Sequence, residues 1–347
     1  MSQEAGSNNE RCVAVVGGGA WGTALAIHIA RQGNSVRLWL REPELVQRMR
    51  ERRDNPTYLP GVEIPGLVEP HGELRATVLG AEVVLVVVPS QFARQVYAEL
   101  APHLTAELPV VVAAKGVEVD SLLLPLDVVG EVLGADRPAA VLSGPSFARE
   151  VAQGLPTAVV VAARAPALSV RLQGLLASRD LRVYTNNDPI GVQLCGAIKN
   201  VMAIAVGVAE GLGLGTNARA ALITRGLGEV TRLVVALGGQ AATASGLAGL
   251  GDLVLTCTGD LSRNLGVGRE LGRGSRLEDA LAGSRSVAEG VRTARSARDL
   301  ARRTGVEMPI VEEVYRILYE DGSPQDGVER LLSRPVGPET ASPEPDA

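Results

Sequence analysis

The chain has 347 residues, enough for two domains with a sizeable core, and its 46% hydrophobic content is that of a soluble globular protein. A formal charge of −5, without a basic tract interleaved with aromatics, argues against nucleic acid as a partner. Cys12, Cys195 and Cys257 are far apart and His28, His71 and His103 are scattered, so neither a disulfide scaffold nor a metal site is expected, and a reducing cytosol fits best.

Residues 1–10 are polar and lack the apolar stretch of a secretory signal; a disordered N-terminus is expected. Arg11 to Val16 is a short apolar run suited to a central parallel strand covered on both faces. It leads through Gly17-Gly18-Gly19-Ala20-Trp21-Gly22 into a helix that starts at Thr23 and runs to Arg31, which is G-x-G-x-x-G in its required context. Gly17 allows the tight turn, Gly19 lets the backbone approach a pyrophosphate, and Gly22 lets helix and strand pack closely, with the helix N-terminus facing the phosphates. The expected fold is therefore α/β, a Rossmann-type doubly wound sheet that binds a dinucleotide. The next strand, Ser35 to Leu40, should end at the adenosine ribose. Arg41 stands there before Glu42 and can receive a 2′-phosphate, so NADP(H) is permitted beside NAD(H). The arginines from Arg48 to Arg53 read as the wet face of a helix.

After a Pro- and Gly-rich connection from Asn55 to Gly66, strands are expected at 82–88 and 109–114. The second delivers Lys115 to its carboxyl end, the edge where ligands sit in such sheets. Ala139 to Leu142 leads into Ser143-Gly144-Pro145-Ser146-Phe147-Ala148, whose N–H groups and hydroxyl suit a phosphate or the nicotinamide end of a cofactor; a plain N-cap at Ser146 is the other reading. Strands at 157–162 and 181–184, with a helix from Pro166 to about Ala177 between them, finish the sheet. The first domain is thus 11–188.

From Pro189 the period is helical to about Leu332, which predicts an all-helical C-terminal domain over 189–332 and a disordered Pro-, Glu- and Ser-rich tail over 333–347. Pro189 to Glu210 reads as one long apolar helix. Its length would cross a membrane, but Gln193, Lys199 and Asn200 at its heart predict burial between protein layers instead. The chain holds two lysines, Lys115 and Lys199, against thirty-two arginines. Arg cannot deprotonate in a protein whereas a desolvated Lys can, so Lys199 is a candidate for proton transfer; the alternative is a lysine that snorkels from a core helix.

Farther on, Gly211 to Asn217 reads as a glycine-dense loop. A helix starting near Gly251 puts Asp252 and Thr256 on one face, and Ser262-Arg263-Asn264 offers a guanidinium and an amide to a phosphate or carboxylate. Asp252 could instead be a helix-terminal charge paired with Arg263. Cys195 lies one turn before Lys199, yet no histidine is near it and a nucleophilic thiol is not expected. Asp321 to Gly327 reads as a turn. A dinucleotide domain followed by a helical domain with a proton-transfer lysine suggests hydride transfer at a carbinol carbon, with Asn200 and Asp252 orienting Lys199 or the substrate hydroxyls. The surplus of anion-binding groups suggests an anionic substrate.

The motifs Gly17 to Ala26, Val87-Val-Pro-Ser90, Ala114-Lys-Gly-Val-Glu118, Ser143 to Ala148, Gly196-Ala-Ile-Lys-Asn200, Asn217 to Gly226, Gly249 to Thr258 and Ser262-Arg-Asn264 resemble, in order, those of bacterial NAD(P)-dependent glycerol-3-phosphate dehydrogenase. The likeness runs from about Arg11 to Leu332. It implies reversible reduction of dihydroxyacetone phosphate to sn-glycerol 3-phosphate for phospholipid synthesis, a cytoplasmic homodimer without a membrane span, and NADP(H) or NAD(H) as cofactor. It also implies that Lys199 is the proton donor and acceptor, and that Lys115, Gly144, Ser146, Asp252, Ser262, Arg263 and Asn264 surround the substrate. Ala20, Trp21, Arg41, Lys115, Ala148, Arg263, Val287 and Glu289 would line the cofactor. Two positions depart from the family: Gly18, where Ala is usual, and Ala20, where Ser is common. The alternatives are a related two-domain β-hydroxyacid or ketopantoate-type reductase, which lacks the Gly-Leu-Gly-Asp and Ser-Arg-Asn pair, and an inert dinucleotide sensor.

Overall fold

A computed structural model describes residues 11–282 and 289–337. The expectations for residues 1–10, for Val287 and for the tail beyond Gly337 lie outside the described residues. The N-terminal half is built on eight strands: β1 (Cys12–Val16), β2 (Ser35–Trp39), β3 (Val68–His71), β4 (Val83–Val86), β5 (Val110–Val112), β6 (Ala139–Ser143), β7 (Thr157–Ala163) and β8 (Leu181–Asn186). They form one sheet in the order β3-β2-β1-β4-β5-β6-β7-β8, parallel except where β7 runs against β6. The order reverses between β1 and β4, which opens the crevice that such sheets use for ligands.

Among the described residues of this half there are seven α-helices: α1 (Ala20–Arg31), α2 (Pro43–Arg52), α3 (Leu74–Val78), α4 (Ser90–Leu100), α5 (Pro125–Leu133), α6 (Ala148–Gln153) and α7 (Pro166–Leu176). The central strands are buried on both faces, one under a layer that includes α1 and the other under α4 and α5, as their near-continuous Val and Ala content requires. Sequence periodicity does not reveal β3. Val68-Glu-Pro-His71 is four residues long and contains Pro70, which an edge strand tolerates because only one side of it needs a donor. The arginines from Arg48 to Arg53, in α2 and at its C-terminal cap, are also more than a wet face. Arg50 donates to the Pro70 carbonyl at 3.0 Å, and Arg53 to the Ile64 and Val68 carbonyls at 3.1 and 2.9 Å, so they fasten the connection that leads into β3.

From Pro189 on, the described elements are helical: α8 (Pro189–Gly211), α9 (Gly215–Ala236), α10 (Ala241–Ala244), α11 (Asp252–Thr258), α12 (Arg263–Gly272), α13 (Leu277–Ala282), α14 (Glu289–Thr304), α15 (Pro309–Tyr319) and α16 (Pro324–Leu332). A short π-helical turn at Leu247–Gly251 runs directly into α11. The loop expected at 211–217 is shorter than read, since α9 already begins at Gly215. The turn expected at 321–327 likewise ends at Ser323, whose Oγ caps α16 by accepting from the Asp326 N–H. Asp188 caps α8, accepting from the Gly191 N–H at 2.8 Å, while its other oxygen holds Gln240 N and Thr243 Oγ, both at 2.7 Å. The apolar length of α8 that would suffice to cross a membrane is wholly buried inside the fold.

What seats α8 is a pair of glycine repeats four residues apart, Gly207 and Gly211 facing Gly268 and Gly272 of α12. A Cβ on Gly207 would lie 2.2 Å from the Leu265 carbonyl oxygen, and one on Gly268 would lie 2.2 Å from that of Ile204. Backbone therefore meets backbone, and no rotamer change can make room. Gly268→Ala is expected to destabilise the protein by about 3 kcal/mol, the upper range for overpacking. Gly228→Ala, on α9 where a Cβ meets only the end of Arg232 at 3.6 Å, should gain up to ~1 kcal/mol from helix propensity. Urea unfolding of the two variants checks both signs; equal midpoints would show that the crossing is not sterically closed.

Candidate active site

The turn after β1 has the geometry its glycines imply. Gly17 has φ +120°, and a side chain there would meet the Val87 backbone at 2.9 Å. A Cβ on Gly22 would fall 1.8 Å from the Gly17 carbonyl oxygen, whereas one on Gly19 would meet nothing within 4 Å. Gly19 thus borders open space at the N-terminus of α1, room for a pyrophosphate against unpaired helix N–H groups. The Trp21 indole N–H is buried without a partner among the described residues, and it too is a donor available to a cofactor. A dinucleotide therefore fits this turn. The glycine at position 18, unusual by the resemblance, has a reason in packing: a Cβ there would lie 2.4 Å from Leu40 Cγ.

At the end of β2, Arg41 is exposed and Glu42 accepts the Tyr58 hydroxyl at 3.0 Å. Glu42 is thus engaged by the protein itself, while the guanidinium stands at the strand end. Ala148 opens α6. Ser146 is not an N-cap: Phe147 holds that position, and Ser146 Oγ donates to the Gly144 carbonyl at 3.0 Å.

The strand ends and the helical half meet at a buried carboxylate. Asp252, the first residue of α11, is fully buried and bridges both lysines of the chain. Lys199 Nζ is 2.5 Å from its Oδ1 and Lys115 Nζ is 2.6 Å from its Oδ2. Lys199 also donates to Thr256 Oγ at 2.9 Å, and Lys115 to the Gly144 carbonyl at 3.1 Å. The snorkelling alternative for Lys199 is overturned, because its side chain is 10% exposed and points at Asp252 rather than along a core surface to water. Asp252 does stand in the first turn of its helix, as the alternative had it, but its pairing with Arg263 gives way, since its two oxygens serve the lysines.

A second contact chain lies beside the first. Asn200 Oδ1 accepts from Asn264 Nδ2 at 3.0 Å, and Asn264 Oδ1 accepts from the Gly290 N–H at 3.1 Å. Asn200 therefore fixes α8, α12 and α14 to one another, and its amide is directed at Asn264. Ser262 caps α12 through Oγ, and Arg263 begins that helix with an exposed side chain. Glu289 begins α14. Thr256, Gly290 and the buried Ser143 hydroxyl, which faces Gly196, also belong to this neighbourhood. Thr256 was visible as a helix-face partner of Asp252, and Ser143 only as the start of the Ser143 to Ala148 motif; nothing in the spacing of the chain marks Gly290.

Burial is the dominant electrostatic influence. It pushes the Lys199 ammonium down to about 8; Asp252 opposes the fall and the Lys115 cation adds to it. Glu289 is pushed up to about 7 by burial, against the pull of Arg263, Lys115 and Lys199. Burial raises Cys195 and Cys257 to about 12 each, so neither is a thiolate near neutral pH. The site can thus hold an amine that titrates near neutrality next to cations able to receive an anion. Among the described residues no group of three or more His, Cys, Asp or Glu could hold a metal ion.

Family models of the N-terminal and C-terminal parts of NAD-dependent glycerol-3-phosphate dehydrogenase match residues 12–169 and 188–329. A glycerol-3-phosphate dehydrogenase [NAD(P)+] of Geobacter sulfurreducens is 51% identical over 324 residues, covering 93% of this chain and 97% of the relative. The crystal structure of glycerol-3-phosphate dehydrogenase from Coxiella burnetii superposes with a TM-score of 0.90 at 43% identity, over 94% of this chain and 99% of that one. A ketopantoate reductase from Ralstonia eutropha, at 16% identity and a TM-score of 0.58 over 91% of this chain and 99% of that one, shares the fold alone.

Proposed function

This chain belongs to the NAD-dependent glycerol-3-phosphate dehydrogenase family, and on that premise we propose that Lys199 exchanges the proton in its reaction. The reaction is the reversible NAD(P)H-dependent reduction of dihydroxyacetone phosphate to sn-glycerol 3-phosphate, an oxidoreductase step that supplies lipid synthesis. The observation that carries the proposal is the Lys199 ammonium, buried, 2.5 Å from Asp252 and 2.9 Å from Thr256. The nicotinamide, when bound, supplies hydride to the carbonyl carbon. As negative charge develops on the carbonyl oxygen, the Lys199 ammonium gives it a proton and becomes a neutral amine; oxidation runs the same transfer backward.

Asp252 has a different task. It holds both lysine stems at one point through two separate oxygens, which fixes Lys199 before substrate arrives. Lys115, Ser262, Arg263 and Asn264 would receive the phosphate and hydroxyls, and Gly144 and Ser146 would shape the wall opposite α12. Gly17, Gly19, Ala20, Trp21, Gly22, Ala148 and Glu289 would line the cofactor, and Arg41 is suited to a 2′-phosphate. A homodimer in a reducing cytosol belongs to the same reading, supported by the family and by three cysteines outside any disulfide.

The titration of Lys199 gives a signed test. Oxidation needs the neutral amine, so its kcat/KM should rise with pH and level off above about 8. Reduction needs the ammonium, so its kcat/KM should be level below about 8 and fall above it. Coenzyme absorbance followed in both directions, with NADH and NADPH side by side, measures this together with coenzyme preference. Profiles of the same shape in the two directions would remove Lys199 from the role, and no turnover with either coenzyme would sink the activity.

A further inference from the structure

Away from the lysine pair, a cavity of about 380 Å³ opens between α14, α15 and α16. Its volume falls within the roughly 300–1,000 Å³ of small-molecule sites. Arg298 and Arg302 reach it from α14, Arg316 from α15, and Arg330 and Arg334 from α16 and the residues after it. Three carboxylates face these five guanidinium groups: Glu307, Glu312 and Glu313. Glu320, which does not line the cavity, also pairs with Arg298 at 3.4 Å, so five guanidinium groups meet four carboxylates and one positive charge is left over.

The carboxylates are shared. Glu312 accepts from Arg298 at 3.0 Å and from Arg302 at 3.4 Å, and Glu313 accepts from Arg316 and Arg330, both at 2.8 Å. Glu307 pairs with Arg334 at 2.8 Å. A guanidinium has five N–H donors in a fork that suits phosphate and carboxylate oxygens. Arg302 and Arg334 each meet their carboxylate through one nitrogen and are 58% and 48% exposed, so they retain donors for a ligand. Helix α14 connects this cavity to the catalytic region. Its C-terminal half carries Arg298 and Arg302, and its first turn carries Glu289 and Gly290, whose N–H holds Asn264.

We infer that this cavity binds a small polyanion, bearing two or more negative charges as phosphate or carboxylate groups, held by Arg302 and Arg334 and felt at the active site through α14. The site is separate from the cofactor turn and from the lysine–aspartate pair. A bound polyanion would draw the two guanidinium groups toward itself and away from Glu312 and Glu307; α14, with Arg302 near one end and the Gly290 N–H that holds Asn264 at the other, is the element through which that change would reach the active site.

The test uses inorganic pyrophosphate as the phosphate probe and citrate as the carboxylate probe. Calorimetric titrations are made on enzyme saturated with NADH and sn-glycerol 3-phosphate, so that the anion positions of the active site are filled. One further site is expected, weakened at least ~10-fold in Arg302→Gln/Arg334→Gln. Without probe, that variant should keep the wild-type kcat and KM. With probe, the KM for dihydroxyacetone phosphate should change at least ~2-fold more in wild type than in the variant, which separates the cavity from competition at the active site common to both. Binding of pyrophosphate alone assigns a phosphate-bearing ligand, and binding of citrate alone a polycarboxylate; either supports the site. No binding of either probe at millimolar concentration overturns it, as does equal binding by the variant or binding without the KM difference. If the double variant unfolds early, Arg334→Gln alone is read in its place. Calorimetry does not depend on turnover, so failure of the Lys199 assignment would leave this result interpretable.

Discussion

Lys199→Arg is expected to lower turnover by about 10²–10⁴-fold, the range general acid–base catalysis supplies, with coenzyme binding largely kept. The charge survives in this variant, so the attraction to Asp252 and to an anionic substrate survives with it. What disappears is reversible protonation, because a guanidinium does not deprotonate in a protein. The coenzyme turn at Gly17 to Gly22 belongs to a different element, and its geometry depends on Val87 and on α1 rather than on α8. Steady-state rates in both directions, with coenzyme affinity from NADH fluorescence, make the comparison. Near-normal turnover in the variant would show that the proton travels by another group.

Asp252→Ala should lose about 3–5 kcal/mol of stability, because it leaves two lysine ammonium groups in one buried pocket without their shared carboxylate. The sign of its pH dependence follows from linkage. Burial already holds Lys199 below its unfolded value, and removal of Asp252 takes away the one influence that most opposes this. The folded variant then binds fewer protons than the unfolded chain below the lysine range, so its stability rises with pH toward the unfolded lysine pKa of roughly 10.4. Wild-type Lys199 itself loses its proton near about 8, so urea unfolding at neutral and alkaline pH reads a deficit relative to wild type that shrinks up to about 8 and is level above it. A deficit of the same size at both would mean that lost packing, rather than stranded charge, is the cause.

These two variants touch residues that the chain advertises to different degrees. Lys199 stands out because it is one of two lysines and sits in an apolar helix, a signal contained in twenty-odd consecutive residues. Asp252 is less conspicuous. Its four-residue spacing to Thr256 places both on one face of α11, and the structure uses that face by turning it toward Lys199. Lys115 was legible only as a cation at a strand end. The carboxylate that joins it to Lys199 begins a helix far along the chain, and no local pattern states that pairing. Ser146 was legible as polar and useful but not in its bond, since the backbone turn at Gly144, φ +128°, brings that carbonyl within its reach.

The sequence by itself determined the parts whose physics is local. The phosphate-binding turn follows from glycines that must sit where a Cβ would strike the Gly17 carbonyl or the Val87 backbone, and the buried helix follows from an apolar run capped by Asp188. The order of strand-forming and helix-forming segments determined the doubly wound sheet and the helical half after it, because each period buries one kind of face. Only the tertiary structure decided which faces meet. It placed the Gly207 and Gly211 pair against Gly268 and Gly272, joined Asn200 to Asn264 and Gly290, and gathered five arginines around one cavity. The physical reason is that such contacts depend on the angles at which distant helices cross, and those angles are set by close packing of backbones rather than by the order of residues along any one of them.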